Sequence, residues 1–120
     1  MLRLLGFQKN KELKKYQKEL KTRNSYITRM VKSCGANLMA FGEVDMLYPQ
    51  NIRIGTDCRL NYRVLLNGRS GITLGNDVTI SHGAMLLSAG YDIEKWLATG
   101  KKEHFENKPI HIGNHCWIGA

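Results

Sequence analysis

Three heptapeptides in this chain are versions of one pattern. IRIGTDC (52–58), ITLGNDV (72–78) and IHIGNHC (110–116) each read apolar, any, apolar, glycine, polar, Asp or His, small. Between them an apolar residue returns every six positions. Ile54, Leu60 and Leu66 hold one phase; after a two-residue slip Leu74, Ile80 and Leu86 hold it again; Ile112 and Ile118 resume it. Four residues after most of these stands a small or β-branched residue: Cys58, Val64, Ser70, Val78, Ala84, Gly90 and Cys116. A period of six calls for one large inward residue per short strand and a smaller inward residue near each corner. Gly and Asn are expected at the tight corners, where a positive φ is easiest. Three such units close one triangular coil, and stacked coils bury identical positions in ladders. The spacing therefore predicts a parallel β-helix built from hexapeptide repeats. It leaves the hand of the coil to the general rule that crossovers are right-handed.

The 120 residues amount to one domain's worth of chain. The net charge of +8 divides unevenly along it. Residues 1–33 hold ten Lys and Arg against Glu12 and Glu19, whereas residues 34–120 hold eight of each sign. A basic segment thus precedes a neutral body. Within it Leu13, Tyr16 and Leu20, then Ile27, Met30 and Val31, recur at helical spacing. We expect a basic helical segment over 1–33 and a partial β-helix over 34–120. The helix either packs on the body with its charges in solvent or meets an anionic surface such as inner-leaflet lipid. Nucleic acid is not expected as a partner, because no groove-reading motif accompanies the charge. Cys34, Cys58 and Cys116 are odd in number, widely spaced and without a CxxC pair, which suits reduced thiols in a cytoplasmic protein. MLRLLGF is too short for a secretory signal, and no apolar run reaches membrane-span length.

From Tyr48 to Ala120 the chain resembles the hexapeptide-repeat acyltransferases, which fold as left-handed parallel β-helices. The closest likeness is to sugar O-acetyltransferases of the maltose and galactoside type and to enzymes that acetylate capsular or lipopolysaccharide sugars. PQNIRIGTDCRLNYRVLL resembles the family's first coils, including an asparagine, here Asn61, beside the acceptor. ITLGNDVTISHGAMLLSAG resembles the coil that leads into the active-site loop, and KPIHIGNHCWIGA the re-entry after it, with Trp117 matching a family tryptophan. The resemblance implies acetyl-CoA as donor, a sugar or polysaccharide precursor as acceptor, and no metal. It also implies a homotrimer with CoA in a groove between neighbouring β-helices, at work in the cytoplasm or at the inner face of the membrane.

Such a transfer needs a base to take the proton of the attacking hydroxyl, and histidine suits the task at neutral pH. The family's catalytic histidine opens the loop, but here SAGYD puts Tyr91 in that place. Tyrosine, with a pKa near 10, is a poor general base. His82 in TISHGAML and His104 in the loop are the alternative bases. The loop, 91–109, breaks the six-residue rhythm, and an excursion of that length from a compact repeat is seldom without purpose. Asp92 is a candidate to orient a histidine or bind acceptor hydroxyls, Trp96 to stack on a sugar, and Lys101 and Lys102 to meet CoA phosphates. Asn61 and Asn67 can hydrogen-bond a sugar, although asparagine is also an ordinary corner residue. His111 and His115 are expected at outward or corner positions.

Two rival readings stand beside this one. A γ-type carbonic anhydrase shares the β-helix and SHGAML resembles its first ligand segment, but Leu87 stands where its next histidine is needed. A catalytically inactive scaffold would also explain Tyr91. IHIGNHCWIGA opens a coil at residues 110–120, and from this we expect a longer protein with further coils that carry most of the donor site.

Overall fold

A computed structural model of the chain describes residues 2–103 and 105–120, with side chains from residue 9 onward. A single long helix, α1 (Leu2–Met30), leads into thirteen short strands and one further helix. The strands are β1 (Ser33–Cys34), β2 (Met39–Ala40), β3 (Val44–Leu47), β4 (Ile52–Ile54), β5 (Arg59–Leu60), β6 (Val64–Asn67), β7 (Ile72–Leu74), β8 (Thr79–Ile80), β9 (Met85–Leu87) and β10 (Gly90–Tyr91). After α2 (Ile93–Thr99) come β11 (Phe105–Glu106), β12 (Ile110–Ile112) and β13 (Trp117–Ile118).

Eleven of these elements, all but α1, α2 and the β10–β11 pair, are too short to stand alone, and pairing between coils is what makes them strands. Apart from the antiparallel β10–β11 hairpin, every pairing is parallel and joins residues one coil apart. The first sheet runs β1-β4-β7-β12, the second β13-β8-β5-β2 and the third β3-β6-β9. Ile52 pairs with Ile72, Arg59 with Thr79 and Leu65 with Met85, so one coil takes 20 residues. Three parallel sheets with one strand per coil are the topology of a parallel β-helix. The inward positions run 34, 40, 46, then 54, 60, 66, then 74, 80, 86. The two-residue slip seen once in the sequence is therefore a regular feature of every coil. The array also begins one coil earlier than the apolar pattern suggests, because Cys34, Ala40 and Met46 are small or soft in positions that later coils fill with Ile and Leu.

The interior is a set of ladders. Ile52 and Ile72, Cys58 and Val78, Leu60 and Ile80, and Val64 are all fully buried, and Ala84 and Leu86 nearly so. Burying each large member contributes about 1.5–3 kcal/mol. Gly71 and Gly83 turn two corners with the positive φ expected of glycine, but the first corner is built differently. At the first corner the left-handed residues are Asn37, Asp57, Asp77 and His115, each at φ between 54 and 63. Asp57, Asp77 and His115 are the "Asp or His" of the repeat, and all four are residue types that tolerate this conformation better than most. The preceding glycines answer a different need. A Cβ on Gly55 would run into the carbonyl oxygen of Gly75, and one on Gly75 would lie 2.5 Å from Oδ1 of Asn114. Close approach between coils, rather than a positive φ, excludes a side chain there. Asparagines stitch the same corner: Asn76 Oδ1 accepts from Thr56 N at 2.9 Å, and Asn114 Oδ1 accepts from Asn76 N at 2.8 Å.

One helix does two things. Ile27 of α1, with Val31 just past its end, is buried against the first coil. Asn24 Oδ1 accepts from Ala40 N at 2.8 Å, and Arg23 donates to Ala40 O at 2.8 Å. The first coil's edge thereby has backbone groups satisfied by side chains of α1. From Lys9 to Glu19, by contrast, every residue is exposed, and Leu13 and Tyr16 have no cover. Packing on the body is thus limited to the last third of the helix. Among the described residues no helix is long and apolar enough to cross a membrane.

Burial pushes the thiols of Cys58 and Cys34 above their ordinary value near 9. The folded state therefore holds these protons longer than the unfolded chain does. Stability is fully present below the free-thiol value and falls as pH rises beyond it; denaturation midpoints measured between pH 7 and 10 should decline, and less steeply in Cys58→Ala. Ile27→Ala should cost about 2–5 kcal/mol in chemical denaturation. Deleting residues 1–19 should leave the denaturation midpoint of the body unchanged.

Candidate functional site

The excursion between β9 and β12 keeps the ladder intact. Ile72 pairs with Ile110 across 38 positions instead of 20, so 18 residues leave the coil and the chain returns in register. The returning strand is tied by Ile110 N to Gly71 O at 3.0 Å. The excursion has its own order. Gly90 and Tyr91 pair with Glu106 and Phe105 as the arms of a hairpin. Asp92 caps α2 by accepting from Lys95 N at 3.0 Å, and Gly100 ends the helix at φ 69 with its N–H on Trp96 O.

An aromatic cluster holds the hairpin together. The ring of Tyr91 stacks on Phe105 at 5.4 Å between centroids and meets Trp96 at 6.0 Å. On the coil side the Arg69 guanidinium lies 3.7 Å from the centroid of Phe105, and Lys102 sits 4.7 Å above Trp96. Tyr91 therefore serves as part of a platform. Lys101 pairs with Glu103 at 3.8 Å, both largely in solvent. His104 lies outside the described residues.

His82 stands elsewhere, at the corner between the second and third sheets. It is exposed, and its ring centroid lies 6.0 Å from that of Tyr62 one coil below. Tyr62 in turn covers Gly42, where a Cβ would collide with its ring. Beside them Asn61 donates through Nδ2 to Ile80 O at 3.1 Å, the same oxygen that receives its backbone N–H. Its Oδ1 has no partner among the described residues. Trp117 donates its indole N–H to Ser81 Oγ while leaving 78% of its surface exposed. Asn61, Tyr62, Ser81, His82 and Trp117 thus form one group on three successive coils. The strands β6 and β9 separate this corner from the corner that carries Arg69 and the hairpin. The chain does not bring His82 and Tyr91 into one contact group.

Asn67 binds its own corner, accepting from Arg69 N at 3.1 Å. His111 is exposed on the outer face of β12. His115 is a left-handed corner residue whose Nδ1 lies 2.8 Å from Oδ2 of Asp77. Sequence reasoning passed over that histidine–carboxylate pair, although the repeat spacing relates positions 77 and 115. Among the described residues no group of three His, Cys, Asp or Glu could hold a metal ion.

The chain is similar to a sugar acetyltransferase. Aligned with the galactoside O-acetyltransferase of Escherichia coli (strain K12), it is 29% identical over 102 residues, 85% of this chain and 49% of that protein. It spans about half the length of the curated relative it matches. No family model matches the chain, and no solved structure matches it.

The hairpin depends on few interstrand bonds, so its order should follow the aromatic contacts. Phe105→Ala should speed amide hydrogen exchange across 88–109 at least tenfold and leave β4 to β8 unchanged. Equal protection in both proteins would show that the platform is not what orders the excursion.

Proposed function

We propose that this chain belongs to a left-handed β-helix acyltransferase that moves the acetyl group of acetyl-CoA to a sugar hydroxyl. The observation that carries this reading is the 102-residue alignment with a galactoside O-acetyltransferase. The repeat architecture supports it, and so does the exposed group of Asn61, His82 and Trp117 on adjoining coils. In this reading the acceptor lies at that corner, with Asn61 Oδ1 receiving a sugar hydroxyl and the Trp117 ring facing the thioester arm. The acceptor oxygen attacks the thioester carbonyl as His82 takes its proton. The carbon–sulfur bond then breaks, and the proton passes from the imidazole to the departing CoA sulfur. Holding the two substrates in line supplies most of the remaining acceleration.

The two corner groups lie on different edges of one coil, which favours assembly as a homotrimer. The hairpin of one copy, with Tyr91, Asp92 and Trp96, would then cover the His82 corner of the next. His104 is the second candidate base. Acceptors would be saccharides of cell-surface polymers, as in the relatives that the sequence resembles. The lysine stripe of α1 would hold the enzyme near an anionic membrane surface.

Labelled acetyl-CoA offered with a panel of pyranosides tests the reading. Transfer to at least one sugar is expected, and His82→Ala should lower it by about 10²–10⁴-fold. An undiminished rate in His82→Ala together with loss in His104→Ala would transfer the base role to the loop. Binding of CoA without transfer to any sugar would refute the enzyme reading.

A further inference from the structure

A groove of about 470 Å³ lies on the outer face of the first sheet, away from the His82 corner. Its walls come from segments distant in sequence. Lys32 stands between α1 and β1, and Arg53, Thr73 and His111 are paired positions on three successive coils. Arg69 closes one end from the third corner, and Asn107 comes from the base of the hairpin. No carboxylate lines it. Among the described residues none of Lys32, Arg53 and Arg69 forms an ion pair, whereas Arg59, Lys101 and Lys108 each do.

Arg69 is held in place. Its backbone N–H donates to Asn67 Oδ1 at 3.1 Å, its carbonyl accepts from Asn51 Nδ2 at 3.3 Å, and its guanidinium rests on Phe105 at 3.7 Å. A guanidinium fixed over an aromatic face keeps its N–H edges free for a planar or tetrahedral anion. Three cations without counter-charges, gathered on one concave surface, raise the local concentration of anions. The volume exceeds what a bare inorganic ion fills and falls within the range of small-molecule sites. Phe105 continues from Arg69 to Tyr91 and Trp96, so an anion in the groove adjoins an aromatic platform suited to a pyranose face.

We propose that this groove binds the phosphoryl groups of a glycosyl phosphate or diphosphate, with its sugar against the hairpin platform. That such a ligand is the acceptor, its sugar lying between the hairpin of one copy and the His82 corner of the next, rests on the acetyltransferase reading; the phosphoryl site does not. The acceptor class is then an activated sugar, carried on a nucleoside or a lipid through its phosphate, rather than a free neutral saccharide.

Equilibrium binding to the full chain, followed by isothermal calorimetry, tests this with pyrophosphate, glucose 1-phosphate, glucose and CoA. Saturable binding of pyrophosphate and glucose 1-phosphate is expected, weakened at least tenfold in Lys32→Gln/Arg53→Gln and unchanged in Lys11→Gln on the protruding helix. Both groove substitutions are at exposed positions outside the core, so circular dichroism should show an intact fold. Equal affinity in the groove and helix variants, or no saturable binding of pyrophosphate, would overturn the site. CoA competing with pyrophosphate and losing affinity in the groove variant would overturn its assignment to the acceptor. Pyrophosphate binding in a protein that transfers acetyl to no sugar would leave the site standing and remove only the enzyme reading.

Discussion

The interior ladder is the constraint on which everything else rests. Each coil presents the same inward positions to the coil above and below, so a residue is buried only if its neighbours 20 positions away are also in place. Stability is accordingly distributed as interface terms between coils rather than lodged in one central core. The same requirement accounts for the glycines, which let two coils approach until backbone meets backbone, and for the asparagine stitches beside them. It also accounts for the excursion after β9, which can take any path provided it returns in register.

Function, in this architecture, collects on what the ladder leaves free. Outward side chains at equal positions of successive coils make stripes: Arg53, Thr73 and His111 on one sheet, Tyr62 and His82 at a corner. Each stripe has a chemistry set by residues that the interior does not constrain. The hairpin adds a third surface, held to the coil by Arg69 and Phe105. The cationic groove and the His82 corner are different products of the same stacking.

Much of this could be read from residues alone, and the parts that could not have physical reasons. The β-helix was legible because Ile54, Leu60, Leu66 and their successors are large and evenly spaced. The first coil fell inside the 34–120 span expected for the β-helix, but its phase was not legible, because Cys34, Ala40 and Met46 occupy the same positions without the same bulk. Glycine turns the corners at Gly71 and Gly83 as its type suggests, whereas at the first corner Asp57, Asp77 and His115 take the left-handed turn and glycine serves the close contact. Helix α2 carried both its signals, Asp92 before it and Gly100 after it, inside a segment noted mainly for breaking the repeat. His82, Asn61 and Trp117 were named from sequence, but their separation from Tyr91 follows only from which corner each occupies. The groove was invisible, since Lys32, Arg53, Arg69 and His111 share no spacing until the 20- and 38-residue registers are known.

The contacts of Asn24 and Arg23 with Ala40 have a consequence for assembly. Parallel coils are self-complementary along their axis, and an open first coil would template the last coil of another molecule. Repeated end to end, such contacts would be heterologous and would not close, which is the geometry of a filament. Because α1 occupies the amide and carbonyl of Ala40 and lays Ile27 beside them, β2 cannot accept a further strand at that end. The array therefore has a polarity. The second sheet is closed to end-to-end pairing where α1 meets it.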